Sequence, residues 1–240
     1  MNSFIVVPIS FAACAATLTG GLFAIALRDR LHLVLGFSAG AVIGLAFFDL
    51  LPEAIETGRA LDPRAILALS AVGFFLYTML DRLATGPSHG SHGHHHERRG
   101  WIGAGSLSVH SFLDGFAIGV AYQASHAIGF IVAAAVLVHD FSDGLNTVSV
   151  IVKNGGDRKN SLRWLLVDAT APVLGALASL ALPLPEGAIS IILAVFSGFF
   201  LYIGASDLLP ESHHAHPRFY TTFSTFLGAG TLFLVTRLVG

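Results

Sequence analysis

The chain has 240 residues, of which 54% are apolar and 12% charged, against roughly a quarter charged in an average soluble domain, and its mean hydropathy is +0.72. These values exclude an ordinary soluble domain and point to a chain that crosses a bilayer several times. A net charge of −2 gives no footing for nucleic acid, and a single cysteine excludes an intrachain disulfide and a cysteine-rich zinc site, so metal ligands would have to be His, Asp, Glu or Asn.

A spanning helix needs about 20 mostly apolar residues. Eight windows meet that length: 4 to 27, 31 to 52, 65 to 85, 101 to 121, 127 to 152, 161 to 182, 187 to 209 and 218 to 238. They leave almost no room for a soluble part, so residues 1 to 240 are expected to form one transmembrane domain. In the first window Phe11-Ala12-Ala13-Cys14 loosely mimics a lipoprotein cleavage site. No Lys or Arg precedes the run, however, and it continues to Ala26, longer than a signal-peptide core, so a retained first helix is expected.

With the N-terminus outside, the inner loops hold Arg28, Arg30, Arg82, Arg98, Arg99, Lys153, Arg158, Lys159, Arg163 and Arg218, and the outer side holds only Arg59, Arg64 and Arg237. That bias satisfies the positive-inside rule, puts both termini outside and requires an even number of spans.

The second window carries Gly40 to Glu53, and the seventh repeats its pattern from Gly198 to Glu211 at a constant offset of 158, sharing the first Gly and all of Asp-Leu-Leu-Pro-Glu. Asp49 and Glu53 then lie near the outer end of their helix, and Asp207 and Glu211 near the inner end of theirs. Antiparallel repeats of this kind build the two faces of many transporters. The bland alternative is a helix-end signal used twice, with Pro closing the span.

Between the third and fourth windows, residues 86 to 99 form a low-complexity inner loop with His89, His92, His94, His95 and His96. It is expected to bind transition metals loosely as a sink or sensor, or else to be a solvated tract without a specific role.

The fourth and fifth windows hold the chemistry. His110-Ser111-Phe112-Leu113-Asp114-Gly115 and His139-Asp140-Phe141-Ser142-Asp143-Gly144 each place His and Asp four residues apart, on one helical face. A carboxylate at mid-membrane costs about 2.5–3.5 kcal/mol on insertion scales, so such groups need a partner or a cation. At 1.5 Å rise per residue, His110 and Asp143 both fall about 13 Å from the inner edge, and Asp114 and His139 about 19 Å. In an antiparallel pair each His therefore meets the other helix's Asp. Two imidazoles and two carboxylates suit a borderline divalent cation. A metal-free proton relay and structural His-Asp pairing are the alternatives. Asp140, Asn146 and Ser111 flank the same faces as further candidate ligands, although Ser111 also suits helix packing. In the sixth window Asp168, four residues before Pro172, suits a base beside the ligands or a proton carrier, with a partner for a buried hydroxyl as the bland alternative.

The pattern His110-Ser111-x-x-Asp114-Gly115-x-Ala117-x-Gly119, with His139 to Gly144, resembles the fourth- and fifth-helix signatures of the ZIP family of zinc and iron transporters. The resemblance covers essentially the whole chain. It implies an all-α polytopic fold of eight transmembrane helices in a 3+2+3 arrangement, with inverted repeats of helices 1–3 and 6–8 around central helices 4 and 5. This chain has Asp where the family usually has Glu at 114 and 143, Ser142 for a frequent Pro, and Ala171 before Pro172 where many members have Glu.

The expected function is a carrier, not an enzyme, moving a divalent cation toward the cytosol. Zn²⁺ leads, with Fe²⁺, Mn²⁺ and Cd²⁺ as other cargoes. His110, Asp114, His139 and Asp143 would bind at midplane while the repeats move against the central pair, with Asp49 and Glu53 at the entrance and Asp207 and Glu211 at the exit. Expected partners are metal ions and the lipid bilayer, with a homodimer as an option and no nucleic acid; a bacterial inner membrane is the expected location. Two rivals remain: a membrane-embedded zinc hydrolase with Asp140 activating water, although no His-Glu-x-x-His or G-x-S-x-G is present, and a non-transporting sensor built on the His-rich loop.

Overall fold

A computed structural model describes residues 5–23, 31–59, 61–85, 96–214 and 219–239. Among them every regular element is helical: α1 (Val6–Phe23), α2 (Leu31–Leu45), α3 (Leu51–Thr57), α4 (Pro63–Thr85), α5 (His96–Ala124), α6 (His126–Lys153), α7 (Arg158–Leu180), α8 (Glu186–Tyr202), α9 (Leu209–His214) and α10 (Phe219–Val239). Six helical segments are long and apolar enough to cross a membrane, and α1 is a shorter apolar helix. The outward faces of α4, α7 and α10 carry exposed Phe75, Leu83, Leu166, Leu174, Phe226 and Leu238, the apolar exterior a lipid phase requires.

The described part of the 86–99 segment differs from the expected loop, since α5 already begins at His96. Residues 86–95 lie outside the described residues.

Two π-helical turns join helices into longer rods. Ala46–Leu50 links α2 to α3, and Ile203–Leu208 links α8 to α9. Leu51 N–H reaches Ala46 O and Leu209 N–H reaches Gly204 O, in both cases five residues back. The cause is the next residue: Pro52 and Pro210 have no N–H, and their rings clash with the carbonyl four residues earlier, so the helix unwinds locally. The two turns keep the 158-residue offset, with Ala46–Leu50 matching 204–208.

Short connections fix the central pair. Only Ser125 separates α5 from α6, capping α6 by accepting from Ile128 N–H at 3.2 Å. Asp157 likewise caps α7, accepting from Asn160 N–H at 2.7 Å, after a turn through Gly155 at φ 81°.

The helices sort into two groups. In one, α5 packs on α7 and α6, and α1 on α6 and α7; in the other, α2 packs on α10, α4 on α8, and the α2–α3 rod on the α8–α9 rod. The groups meet mainly where α2 touches α6 and α8 touches α5. Four of the closest pairs are sealed by reciprocal glycines. A Cβ on Gly115 would land on the Pro172 carbonyl oxygen and one on Gly175 on that of Phe112, while Gly20 and Gly144 do the same between α1 and α6. Gly73 with Gly198 joins α4 to α8, and Gly40 with Gly228 joins α2 to α10. Backbones in van der Waals contact are how helices associate where hydrophobic burial supplies no drive.

Candidate metal centre

The antiparallel α5–α6 hairpin brings His110, Asp114, His139 and Asp143 into one buried cluster, each with a ligand atom within 4.8 Å of the others. His110 Nε2 lies 3.2 Å from Asp143 Oδ2, and His139 Nε2 lies 3.2 Å from Asp114 Oδ2, so each imidazole meets the other helix's carboxylate. Asp114 Oδ2 is also 3.2 Å from His110 Nε2, and His139 Nε2 is 3.9 Å from Asp143 Oδ2. The four residues are at most 3% exposed.

Those spacings suit a single small cation. A tetrahedral zinc with bonds of about 2.1 Å has ligand–ligand edges of about 3.4 Å. Ring orientation fits too. His139 Nδ1 lies 3.0 Å from Ala135 O and donates to it, so Nε2, hydrogen-bonded to Asp114 Oδ2 at 3.2 Å, is the nitrogen that would bind a metal on giving up its proton. Neither ring nitrogen of His110 nor Asp143 Oδ2 has a hydrogen-bond partner among the described residues. Buried polar atoms left this way, 3.2 Å apart, suit a cation between them. Two carboxylates also balance the charge of a divalent ion away from water.

The other expected ligands stand around this set. Asp140 is fully buried, with Oδ1 3.8 Å from His139 Nε2 and both oxygens unbonded among the described residues. It is adjacent to the four-atom cluster but not part of it. Ser111 turns the other way, donating to Asp168 Oδ1 at 2.8 Å. Asn146 lines a cavity of about 260 Å³ whose walls include His110 and Asp143. Tyr77, Asp81, Ser106, Ser149 and Asp207 also line it. It opens at the end of the hairpin where α5 begins and α6 ends. Tyr77 stands edge-on to His110 at 6.1 Å, and the Tyr202 hydroxyl donates to Asp81 at 3.0 Å.

A second cavity, of about 570 Å³, opens at the opposite end and is walled by Phe47, Phe48, Asp49, Glu53, Glu56, Thr236 and Arg237, with none of the four cluster residues. There Asp49 is 2% exposed, its Oδ2 accepting from the Thr236 hydroxyl at 2.9 Å, and Glu53 accepts from Thr57 at 3.0 Å. Glu211 lies in α9 with its side chain outside the described set. His89, His92, His94 and His95 also lie outside the described residues, as does the side chain of His96.

Sequence reasoning missed Tyr77, Asp81, Ser106 and Ser149 as cavity residues. Asp81 beside Arg82 reads as a helix end, and no periodicity marks the other three. Thr147, one turn beyond Asp143, was overlooked as well. Its hydroxyl donates to Asp168 Oδ2 at 2.8 Å.

Apolar helices around a buried two-His, two-Asp cluster define a polytopic membrane protein with a candidate site for a divalent metal. The sequence profile of the ZIP zinc transporters matches residues 86–236, and the chain belongs to that family. It is 28% identical over 136 residues to zinc transporter foi of Drosophila melanogaster, covering 55% of this chain and 19% of foi. To human zinc transporter ZIP10 it is 32% identical over 115 residues, 48% of this chain and 14% of that one. Zinc transporter ZIP13 of Pongo abelii matches at 25% over 200 residues, 76% of this chain and 58% of ZIP13. The chain thus spans less than a fifth of foi and of ZIP10.

Proposed function

We propose that this chain carries a divalent transition-metal cation, Zn²⁺ first among them, across a membrane toward the cytosol, with His110, Asp114, His139 and Asp143 replacing its hydration shell. Fe²⁺, Mn²⁺ and Cd²⁺ satisfy the same donor set less selectively. The observation that carries the proposal is a buried four-ligand cluster of which two members, His110 and Asp143, line a cavity, while the second described cavity reaches none of the four. A carrier needs a midplane site open to one face at a time. The family's transporters argue against the hydrolase alternative.

The proposed topology is eight spans in a single domain, 3+2+3, with both termini outside and residues 86–99 as an inner segment of loose metal affinity. Exchange of α1 with α7, the α2–α3 rod with α8–α9, α4 with α10 and α5 with α6 turns each principal helix contact into another principal contact. That correspondence, with the paired π-turns, supports an inverted repeat. It also gives a reason for the two cavities. Asp49 and Asp207 hold equivalent places, yet Asp49 is buried against Thr236 while Asp207 is exposed at the inner cavity. An inverted repeat halted in its inward-open state has this asymmetry. We take the α1, α5, α6, α7 group to move against the other, exposing the cluster next to Asp49 and Glu53.

Reconstitution in liposomes holding a zinc-sensitive dye tests the proposal. Wild type should take up zinc, and His110→Ala and Asp143→Ala should each abolish uptake while leaving the protein monodisperse. A wild type that moves none of the four metals would overturn it.

A further inference from the structure

One buried carboxylate stands beside the cluster and outside its four converging residues. Asp168 of α7 is fully buried, and its two oxygens accept from hydroxyls on two different helices: Oδ1 from Ser111 of α5 and Oδ2 from Thr147 of α6, both at 2.8 Å. It is not among the four residues whose ligand atoms converge.

The places of those hydroxyls matter. Ser111 follows His110 directly, and Thr147 lies one turn beyond Asp143, so Asp168 is tied next to the cross-helix pair at 3.2 Å. On α5, Ser111 and Gly115 share the face toward α7, where Gly115 meets the Pro172 carbonyl. Successive residues on a helix are turned by about 100°. Holding Ser111 toward α7 therefore turns His110 and Asp114 toward α6. On α6, Thr147 and Asp143 are four residues apart on one face, so the Thr147 bond sets the rotation of that helix as well.

A carboxylate suits this task because it offers two acceptors at a fixed separation. Asn offers one, and an apolar side chain none. Apolar packing would join three helices without burying an ionisable group, which is costly at this depth. Gly115 and Gly175 bring α5 and α7 close enough for the short Asp side chain to reach. We infer that Asp168 is the positioning residue of the metal centre, aligning α5 and α6 through Ser111 and Thr147 so that the four ligands converge, without itself touching the cargo. This inference rests on the metal-carrier proposal above.

Co²⁺ titration of the purified full-length chain in detergent tests it, with affinity and the visible ligand-field spectrum read together and Zn²⁺ affinity taken by competition. Asp168→Asn should weaken binding about 10- to 100-fold, the usual range for loss of a group supporting a ligand, and should alter the Co²⁺ spectrum, because the ligands no longer converge in the same geometry. The double variant Ser111→Ala/Thr147→Val should reproduce both changes, and Asp168→Asn added to it should cost less than twofold more. Should Asp168→Asn fail to fold, Thr147→Val alone, nearly isosteric, should still shift the spectrum. Unchanged affinity and spectrum in the folded variants would overturn the inference. So would a full loss from Asp168→Asn in the double-variant background, which would make Asp168 a ligand. If wild type binds neither ion, the metal site itself is refuted and the inference falls with it; if wild type binds and the variants match it, only the inference falls.

Discussion

Glu in place of Asp143 is expected to weaken zinc binding, although Glu is the commoner acid in the family that the sequence resembles. Asp143 Oδ2 already stands 3.2 Å from His110 Nε2, near the edge of about 3.4 Å that tetrahedral zinc requires. One more methylene extends the side chain by about 1.3 Å, the axial part of a carbon–carbon bond. That exceeds the roughly 0.5 Å within which a binding constellation must be held. Asp143 is 2% exposed, so the extra length has to be taken up inside the protein. A strained rotamer costs about 0.5–1.5 kcal/mol, and an added buried methylene about 1–3 kcal/mol. Together these weaken binding by about 10-fold to somewhat over 1,000-fold, at about 1.4 kcal/mol per factor of ten. Competition titration against a zinc dye in detergent gives the affinity, and Asp143→Asn, which keeps the length and removes the charge, separates geometry from electrostatics. Binding by Asp143→Glu within threefold of wild type would refute the claim that the cluster is already at its working size.

Because neutral imidazole and ionised carboxylate are the forms that bind, each proton taken up competes with the metal, and zinc affinity should fall as the pH is lowered from about 8 to about 5. Affinity that stays flat over that range in calorimetric titrations would remove the histidines from the ligand set. Deletion of residues 88–95 should leave liposome zinc uptake within about twofold of wild type; abolished uptake would move the essential site into the His-rich segment. Thr236→Val removes the donor to Asp49 Oδ2 at 2.9 Å, a hydrogen bond to a charged group worth about 1.5–3 kcal/mol. It should favour the outward-open state by tenfold or more, read as faster external labelling of Leu50→Cys in a Cys14→Ser background. An unchanged labelling rate would mean that the Asp49–Thr236 contact does not hold the outer side closed.

Local periodicity carried much of this protein. The four-residue spacing of His110 with Asp114 and of His139 with Asp143 sets each pair on one face, and a connection of one residue makes the two helices antiparallel. The cross-pairing of His110 with Asp143 and of His139 with Asp114 follows from those two facts. The 158-residue offset was equally legible, since it rests on a run of identical residues; that its prolines go with π-turns instead of closing the helices was not, and Pro172 lies inside α7 without such a turn.

What a side chain meets across the bundle was not legible. Asp140 and Ser111 differ from cluster residues by a single position, and that rotation of about 100° takes them to different neighbours: Asp140 stays beside His139 outside the four-atom set, and Ser111 goes to Asp168 on a helix 57 residues away. Which glycines meet, how the helices divide into two groups, and that Asp49 is buried while Asp207 is exposed all depend on contacts between segments remote in sequence. Composition and spacing fix the faces a helix has, because they act within one turn or two. Only tertiary packing chooses which face meets which partner, because that choice is made by the close fit of whole backbones, and it is this fit that opens one cavity onto His110 and Asp143 and stops the other short.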